Sequence, residues 1–135
     1  MNCYLAGPIG GCTDAEVFDW RREAAVLLDP VGVLDPTRRD YRGRELELSN
    51  REVRQLVDAD LDDIKACDAV LLNAWKPGWG TISEAVYSKL WGKPVVVVWP
   101  RGKPTPWCRY HATRIVAKVA EGAAEIKRLL PTDDG

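Results

Sequence analysis

The chain has 135 residues, which is enough for one domain with an ordinary hydrophobic core and short for two. Its 19 Lys and Arg residues nearly balance its 20 Asp and Glu residues. Bulk charge therefore gives no reason to expect a nucleic-acid polymer or an anionic membrane as a partner. The four cysteines form no C-x-x-C pair, and a single histidine is present to join them, so we expect reduced thiols, no metal centre and a cytoplasmic location.

The first strand-like segment begins directly at the N-terminus. No basic stretch followed by a long apolar run precedes it, and no window approaches the roughly eighteen apolar residues of a membrane span. We therefore expect neither a signal peptide nor a membrane helix.

Four short apolar runs without strict alternation are typical of parallel strands that are covered on both faces. These runs are residues 2–6, 32–34, 69–73 and 94–99. The last stretch, residues 114–130, predicts a fifth short strand and then an amphipathic helix from about Glu121 to Leu130. The alternation of strands and helices predicts one α/β domain over residues 1–135. Its expected fold is a doubly wound, flavodoxin-like or Rossmann-like three-layer sandwich with a parallel sheet of four to five strands.

Three of the helical segments begin with the S/T-x-x-E pattern of a capping box, in which side chains satisfy the first backbone N–H groups. The three pairs are Thr13 with Glu16, Ser49 with Glu52, and Thr81 with Glu84. Residues 35–48 form a long charged connection, whose length favours a functional or mobile segment.

Three Gly- and Pro-rich loops are predicted to meet beyond the carboxyl ends of the strands, where ligands of such folds bind. Their sequences are AGPIGG (6–11), AWKPGWGT (74–81) and PRGKPTPW (100–107). The glycines of the first loop would let backbone N–H groups approach an anion near the next helix N-terminus, with an ordinary tight turn as the competing interpretation. The spacing does not match G-x-G-x-x-G, so a dinucleotide site is a poor match.

Two carboxylates are candidates for chemistry. Glu84 is predicted either to cap its helix or, beside the rings of Trp75 and Trp79, to act as a nucleophile or base. On the helix around residues 53–64, Asp60 is the aspartate nearest the predicted apolar face of Val53, Val57, Leu61 and Ile64. A half-buried structural acid and a functional acid are equally compatible with that position.

The segments YLAGPI, DADLDDIKACDAVLL and GTISEAVYSKLWGKPVVVV, in this order and spacing, resemble the nucleoside 2-deoxyribosyltransferase family over nearly the whole chain. The resemblance implies a doubly wound sheet and no metal or organic cofactor. It also implies that Glu84 is the nucleophile, that Asp60 is the acid near nucleobase and sugar, and that Tyr4 positions the glutamate. A carboxylate under C1′ can stabilise the positive charge that develops on the sugar and capture it covalently.

The resemblance places the substrate on three segments. The substrate-binding residues that it implies are Gly7, Pro8, Ile9, Gly10, Trp75, Gly78, Trp79, Gly80, Arg109 and His111. Nucleotide hydrolases of the family carry a Ser and an Arg for the 5′-phosphate where this chain has Pro8 and Gly10. The serine or acid that relatives carry before the nucleophile falls on Gly78.

Two groups of basic residues are candidates for a replacement anion clamp. Arg109, His111 and Arg114 lie in a segment that some relatives insert into a neighbouring subunit's site, and a cationic helix end is the competing interpretation. Arg38, Arg39 and Arg42 lie in the long connection, where a solvated charge run is the competing interpretation.

Three functions are therefore compatible with the sequence. The leading one is cleavage of a 2′-deoxynucleoside with transfer of the deoxyribosyl group to another base. The second is hydrolysis of a nucleoside 5′-monophosphate, and the third is a non-catalytic nucleotide sensor. The six tryptophans and the shared sites of the family predict a homodimer or higher homo-oligomer.

Overall fold

The computed structural model describes residues 1–131 and contains a five-stranded parallel sheet with the order β2-β1-β3-β4-β5. The strands are β1 (Asn2–Ala6), β2 (Gly32–Leu34), β3 (Ala69–Asn73), β4 (Val95–Val98) and β5 (Arg114–Val116). The helices are α1 (Asp14–Leu28), α2 (Asn50–Ala66), α3 (Trp79–Leu90), α4 (Pro106–His111) and α5 (Val119–Leu129), with a short 3-10 helix at Pro36–Arg39. This confirms the predicted doubly wound fold, with a closing helix that begins two residues before Glu121.

Helices cover both faces of the sheet. Alternate strand residues such as Leu5 and Leu71 pack on one face with Trp20 of α1 and Ile126 of α5. The intervening residues, among them Tyr4, Val70 and Val97, pack on the other face with α2, α3 and α4. Because both faces are buried, the strands read as continuous apolar runs. Among residues 1–131, no helix combines the length and the apolar character needed to cross a bilayer.

Two of the three predicted capping boxes are present. Thr13 and Ser49 each accept a hydrogen bond from the backbone N–H three residues later, and the glutamates there bond back to the caps. The prediction for Thr81 is wrong, because α3 begins at Trp79 and its N-cap is Gly78, with no side-chain capping bond. The Ile82 N–H donates to the Gly78 carbonyl at 3.0 Å. Glu84 therefore lies beyond the capping turn, and its carboxylate is not used as a cap.

The first loop needs its glycines for different reasons. A Cβ on Gly7 would lie 2.6 Å from the indole of Trp20, whereas a Cβ on Gly10 would meet nothing within 4 Å. Gly11 has a φ of +72°, which favours glycine over other residues. Close packing and backbone conformation thus account for two of these positions, and Gly10 is open to solvent.

We expect Gly7→Ala to lower the free energy of unfolding by about 1–3 kcal/mol, because the added methyl must displace a buried ring. Gly10→Ala is the matched control and should change it by less than about 0.5 kcal/mol. Urea unfolding followed by tryptophan fluorescence measures both. Equal effects of the two substitutions would contradict the packing role of Gly7.

The predicted apolar face of α2 is buried in its second half only. Ile64 is fully buried and Leu61 is half-buried, but Val53 and Val57 are 41% and 46% exposed. The first half of α2 therefore extends beyond the sheet. Asp60 lies at the boundary between the exposed and the packed half.

Candidate active site

The first cavity lies at the carboxyl ends of β1 and β3. The order β2-β1-β3-β4-β5 reverses direction at this pair, and such a switch point leaves a crevice in which doubly wound folds bind ligands. The cavity has a volume of about 250 Å³. Its walls come from residues 7–10, from Pro36, Tyr41 and Glu45, from Asp60 of α2, and from residues 76–81 with Glu84. Asp60 and Glu84, which are distant in sequence, both line this cavity, and Tyr4 lies next to Glu84 without lining it.

Glu84 is half-buried on α3, and its Oε2 atom is inaccessible to solvent without a hydrogen-bond partner in the part of the chain that the structure describes. The hydroxyl of Tyr4, a fully buried residue of β1, lies beside it and also lacks a partner by geometry. Unpaired buried polar atoms are costly and rare in native proteins. Glu84 lines the cavity, so its carboxyl is open to a ligand there, whereas the Tyr4 hydroxyl lies against that carboxyl.

Burial raises the pKa of Glu84 to about 8. The neighbouring Tyr4 hydroxyl lowers that pKa, the charge of Asp60 raises it, and the guanidinium groups of Arg21 and Arg39 lower it. Burial, together with the charges of Glu84 and Asp60, raises the pKa of Tyr4 far above its usual value. Tyr4 therefore remains protonated and can donate a hydrogen bond to the glutamate.

Asp60 lines the same cavity and forms an ion pair with Arg39 at 2.8 Å. Burial raises the pKa of Asp60, and the hydrogen bonds and charge of Arg39 oppose that increase. Of the two interpretations of Asp60, the position at a cavity supports the functional one, although the ion pair with Arg39 is also a structural contact.

Three of the four arginines of the long connection, Arg38, Arg39 and Arg42, are engaged by aspartates. Arg38 and Arg39 pair with α2, and Arg42 pairs with Asp40 and Asp14 while it donates to the Cys12 carbonyl. None of the three is among the residues that line the cavity. They form neither the anion clamp nor the solvated charge run considered from the sequence, because each guanidinium binds the connection to a neighbouring segment.

The aromatic and basic residues that were predicted to bind substrate do not all line the same cavity. Trp79 lines the first cavity and is 92% exposed, whereas Trp75 lines neither cavity, and its indole N–H is buried. His111 lines a second, mainly apolar cavity of about 400 Å³ between α3 and α4. Arg109 lines neither cavity, and Arg114 donates to the neighbouring Thr113 carbonyl. The α4 segment therefore does not reach Glu84 within one chain.

Six cavity residues had no functional assignment from the sequence. They are Pro36, Tyr41, Glu45, Lys76, Pro77 and Thr81. Tyr41 is half-buried, and burial with the charges of Asp60 and Glu84 raises its pKa. Their signal in the sequence is position alone, since the long connection and the loop before α3 both follow strands at the ligand edge. No group of three or more potential metal ligands occurs in residues 1–131.

Arg21 was also missed, and it supports the cavity from beneath. This α1 residue is 2% exposed, stacks on Trp20 and donates to the Gly7 carbonyl at 3.1 Å. Its Nε lies 3.5 Å from Asp35 at the end of β2. The guanidinium thus connects the ends of β1 and β2 below the first loop.

Three solved structures are similar to this chain. The 2-deoxyribosyltransferase of the psychrotolerant bacterium Bacillus psychrosaccharolyticus is 20% identical with a TM-score of 0.68, over 90% of this chain and 89% of that one. A conserved protein of Enterococcus faecalis V583 is 17% identical with a TM-score of 0.70, over 96% and 98%. The CMP N-glycosidase of Clostridium botulinum is 14% identical with a TM-score of 0.59, over 96% and 100%.

No protein-family model and no curated protein sequence matches the chain. The similarity to the solved structures confirms the predicted fold over nearly the whole chain and supports the resemblance to the nucleoside 2-deoxyribosyltransferase family. At these identities the similarity concerns the fold. The chemistry must be argued from the cavity and its side chains.

Proposed function

We propose that this protein cleaves the N-glycosidic bond of a 2′-deoxynucleoside and transfers the deoxyribosyl group to another nucleobase. The observation that carries the proposal is the carboxyl of Glu84, which lines a cavity at the switch point of the sheet together with Asp60 and lies next to the buried hydroxyl of Tyr4. Two structures of the same fold are a 2-deoxyribosyltransferase and a CMP N-glycosidase. Their activities agree with a carboxylate that attacks a sugar carbon.

In the first step, a carboxylate oxygen of ionised Glu84 bonds to C1′ while the C1′–N bond breaks and its electron pair leaves with the base. In the second step, a nitrogen of the acceptor base bonds to C1′ and releases the carboxylate. The leaving base gains a proton and the acceptor loses one, so the exchange balances. Two inversions at C1′ give net retention of configuration.

The other two residues act on the carboxylate and on the substrate. Tyr4, which remains protonated, donates towards Glu84 and holds its carboxylate in line with C1′. Asp60 accepts a hydrogen bond from the substrate through the oxygen that Arg39 does not occupy. Tyr41 and the exposed Trp79 offer rings against which a planar base can stack.

The charge of the cavity supports a nucleoside substrate over a nucleoside 5′-monophosphate. Three acids line it, Glu45, Asp60 and Glu84, and Lys76 is the one basic residue among the described residues of its wall. Arg38, Arg39 and Arg42 of the long connection are paired with aspartates. A 5′-phosphate would therefore meet Lys76 as the one cation of the described wall, beside the acidic residues Glu45 and Asp60.

Hydrolysis of a nucleoside 5′-monophosphate remains the second candidate. Lys76 and the backbone N–H groups of the first loop are the anion donors that favour it, and one structure of the same fold is a CMP N-glycosidase. A panel of 2′-deoxynucleosides, with and without an acceptor base, and of the matching monophosphates separates the two by chromatography. Consumption of monophosphates alone would overturn the leading proposal. Nucleotide binding by calorimetry without any turnover would instead support a sensor.

We expect kcat/KM for the deoxynucleoside to rise with pH towards about 8, because only ionised Glu84 attacks and burial raises its pKa to about 8. The pH dependence of initial rates measures this acidic limb. An acidic limb with a midpoint below about pH 5, near the ordinary pKa of a glutamate, would contradict the effect of burial.

We also propose that the protein forms a homo-oligomer, at least a dimer, through the surface formed by α3 and α4. This surface exposes four large apolar side chains, of which Ile82 and Trp107 line the second cavity, and exposed apolar surface favours protein contacts. The exposed residues are Trp79, Ile82, Trp107 and Tyr110.

Trp107→Glu should convert this oligomer to a monomer at micromolar concentration, since the substitution places a charge in the proposed contact. Val26→Glu, an equally exposed apolar position on α1, is the control and should leave the assembly unchanged. Sedimentation velocity measures both variants. A wild-type monomer with full activity would contradict the proposal.

A further inference from the structure

Arg39 connects the end of the 3-10 helix to the carboxylate of Asp60. Its Nε and Nη2 atoms both donate to Asp60 Oδ1, at 3.0 and 2.8 Å, and Nη2 also donates to Asp63 Oδ2. No hydrogen bond within residues 1–131 uses Asp60 Oδ2. One oxygen of Asp60 is therefore fixed by the arginine, and the other is available to a ligand in the cavity that Asp60 lines.

The cavity holds two acids that oppose each other's ionisation. Each of Asp60 and Glu84 is partly removed from water, and the charge of Asp60 raises the pKa of Glu84. Two neighbouring carboxyls of this kind tend to share a proton, so that one of them becomes neutral. Arg39 lowers the pKa of both groups.

Charged and titratable groups from several elements face the two carboxyls. They are Tyr4 of β1, Arg21 of α1, Arg38 and Arg39 of the 3-10 helix, Tyr41 and Glu45 of the connection, Asp63 of α2, and Lys76 before α3. The charge of Arg21 lowers the pKa of Glu84, and its guanidinium also donates to the Gly7 carbonyl. Arg39 is the cation with hydrogen bonds to Asp60 itself.

We propose that Arg39 is a positioning residue that orients the Asp60 carboxylate and favours the ionised form of Asp60 and Glu84. The inference rests on the proposed function, in which ionised Glu84 attacks C1′ and Asp60 accepts a hydrogen bond from the substrate. Arg39 acts through the carboxylates and does not line the cavity. The two-donor contact to one oxygen fixes the direction in which the second oxygen points.

The neighbouring arginine provides a matched control. Arg38 donates to Asp63 Oδ2 at 2.7 Å and has no hydrogen bond to Asp60. It therefore also connects the 3-10 helix to α2. If Arg39 only connected the 3-10 helix to α2, replacing Arg38 would have the same effect as replacing Arg39. If Arg39 controls Asp60, the two replacements should differ.

The test compares Arg39→Gln, Arg39→Lys and Arg38→Gln in two measurements. Carboxyl carbon NMR titration of the protein without substrate follows Asp60 and Glu84, with assignments from Asp60→Asn and Glu84→Gln. Initial rates against pH give the acidic limb of kcat/KM. We expect Arg39→Gln to raise the pKa of Asp60 by about one pH unit or more, and to move the acidic limb to higher pH with about a tenfold loss at pH 6.

Arg39→Lys keeps the charge and loses the two-donor contact, so it should fall between wild type and Arg39→Gln in both measurements. Arg38→Gln should raise the pKa of Asp60 less than Arg39→Gln does, because Arg38 acts on Asp60 by its charge without a hydrogen bond. An Arg39→Gln protein that folds and keeps the wild-type titration and acidic limb would overturn the proposal. Equal shifts in Arg38→Gln and Arg39→Gln would also overturn it.

Asp63→Asn covers the case in which Arg39→Gln does not fold. It removes a negative charge that raises the pKa of Asp60 and leaves Arg39 bound to Asp60, so the pKa of Asp60 should fall. A rise would contradict the proposal. The titration needs no substrate, so the two proposals can fail separately. If Arg39→Gln shifts the carboxyl pKa values but the wild type turns over no nucleoside, the proposed function alone is wrong. If the wild type turns over nucleoside but Arg39→Gln leaves the carboxyl pKa values unchanged, the role of Arg39 alone is wrong.

Discussion

Glu84→Gln should abolish turnover, by about a thousandfold or more, in a protein that still folds. An amide neither bonds to C1′ nor balances the positive charge of the sugar in the transition state, although it keeps the length and shape of the side chain. Initial rates with the deoxynucleoside found in the substrate panel measure the effect. Retention of more than about a tenth of wild-type turnover, equivalent to about 1.4 kcal/mol of barrier, would remove the nucleophile assignment.

Glu45→Gln is the control for this substitution. It makes the same chemical change in an exposed residue of the long connection that lines the same cavity. We expect it to retain most of the wild-type rate. The loss in Glu84→Gln is not due to a lost helix cap, because the N-cap of α3 is Gly78 and no side chain caps the helix.

Glu84→Gln should also stabilise the folded protein, and the gain in the free energy of unfolding should be larger at higher pH. Glu84 ionises near 4.5 in the unfolded chain and near 8 in the folded protein. Between these values the unfolded state releases a proton that the folded state retains, so the wild type loses stability as pH rises. Below the pKa of Glu84 in the unfolded chain, this residue is protonated in both states and does not lower the free energy of unfolding.

Urea unfolding of wild type and Glu84→Gln at pH 5 and pH 8 measures this contribution. We expect the advantage of the glutamine variant to be larger at pH 8 by at least about 2 kcal/mol, since each pH unit corresponds to about 1.4 kcal/mol. Glu45→Gln, whose side chain is exposed, should show no such difference. An advantage that is the same at both pH values would contradict the burial of an ionisable Glu84.

The strands and most helix starts were predictable from the sequence because their causes are local. Residues such as Val70 and Val96 lie in uninterrupted apolar runs since both faces of the sheet are covered. The side chains of Thr13 and Ser49 cap their helices by accepting hydrogen bonds from backbone N–H groups three residues later. Thr81 matched the same pattern, but the backbone of the preceding Gly-Trp-Gly segment joins α3, so the helix begins earlier than the pattern indicated.

The electrostatics of the site were not predictable, because the partners are distant in sequence. Arg39 pairs with Asp60 across 21 residues, and Arg21 binds the Gly7 carbonyl across 14. An arginine on a helix ordinarily indicates a solvent-facing position, and nothing local to Arg21 signals that it is buried. The meeting of Tyr4, Asp60 and Glu84 was expected only from the family resemblance, since the strand order that brings them together is a property of the whole fold.

The covalent intermediate on Glu84 is the central claim, and trapping it is the most direct test. A nucleoside with an electron-withdrawing fluorine at C2′ reacts slowly, and its glycosyl-enzyme is released more slowly still because the fluorine destabilises the charged sugar. Incubation followed by intact-mass and peptide mass spectrometry should show one added sugar, located on Glu84, that disappears when an acceptor base is supplied. Turnover of the unmodified substrate without any such adduct, or an adduct on a different residue, would contradict the account.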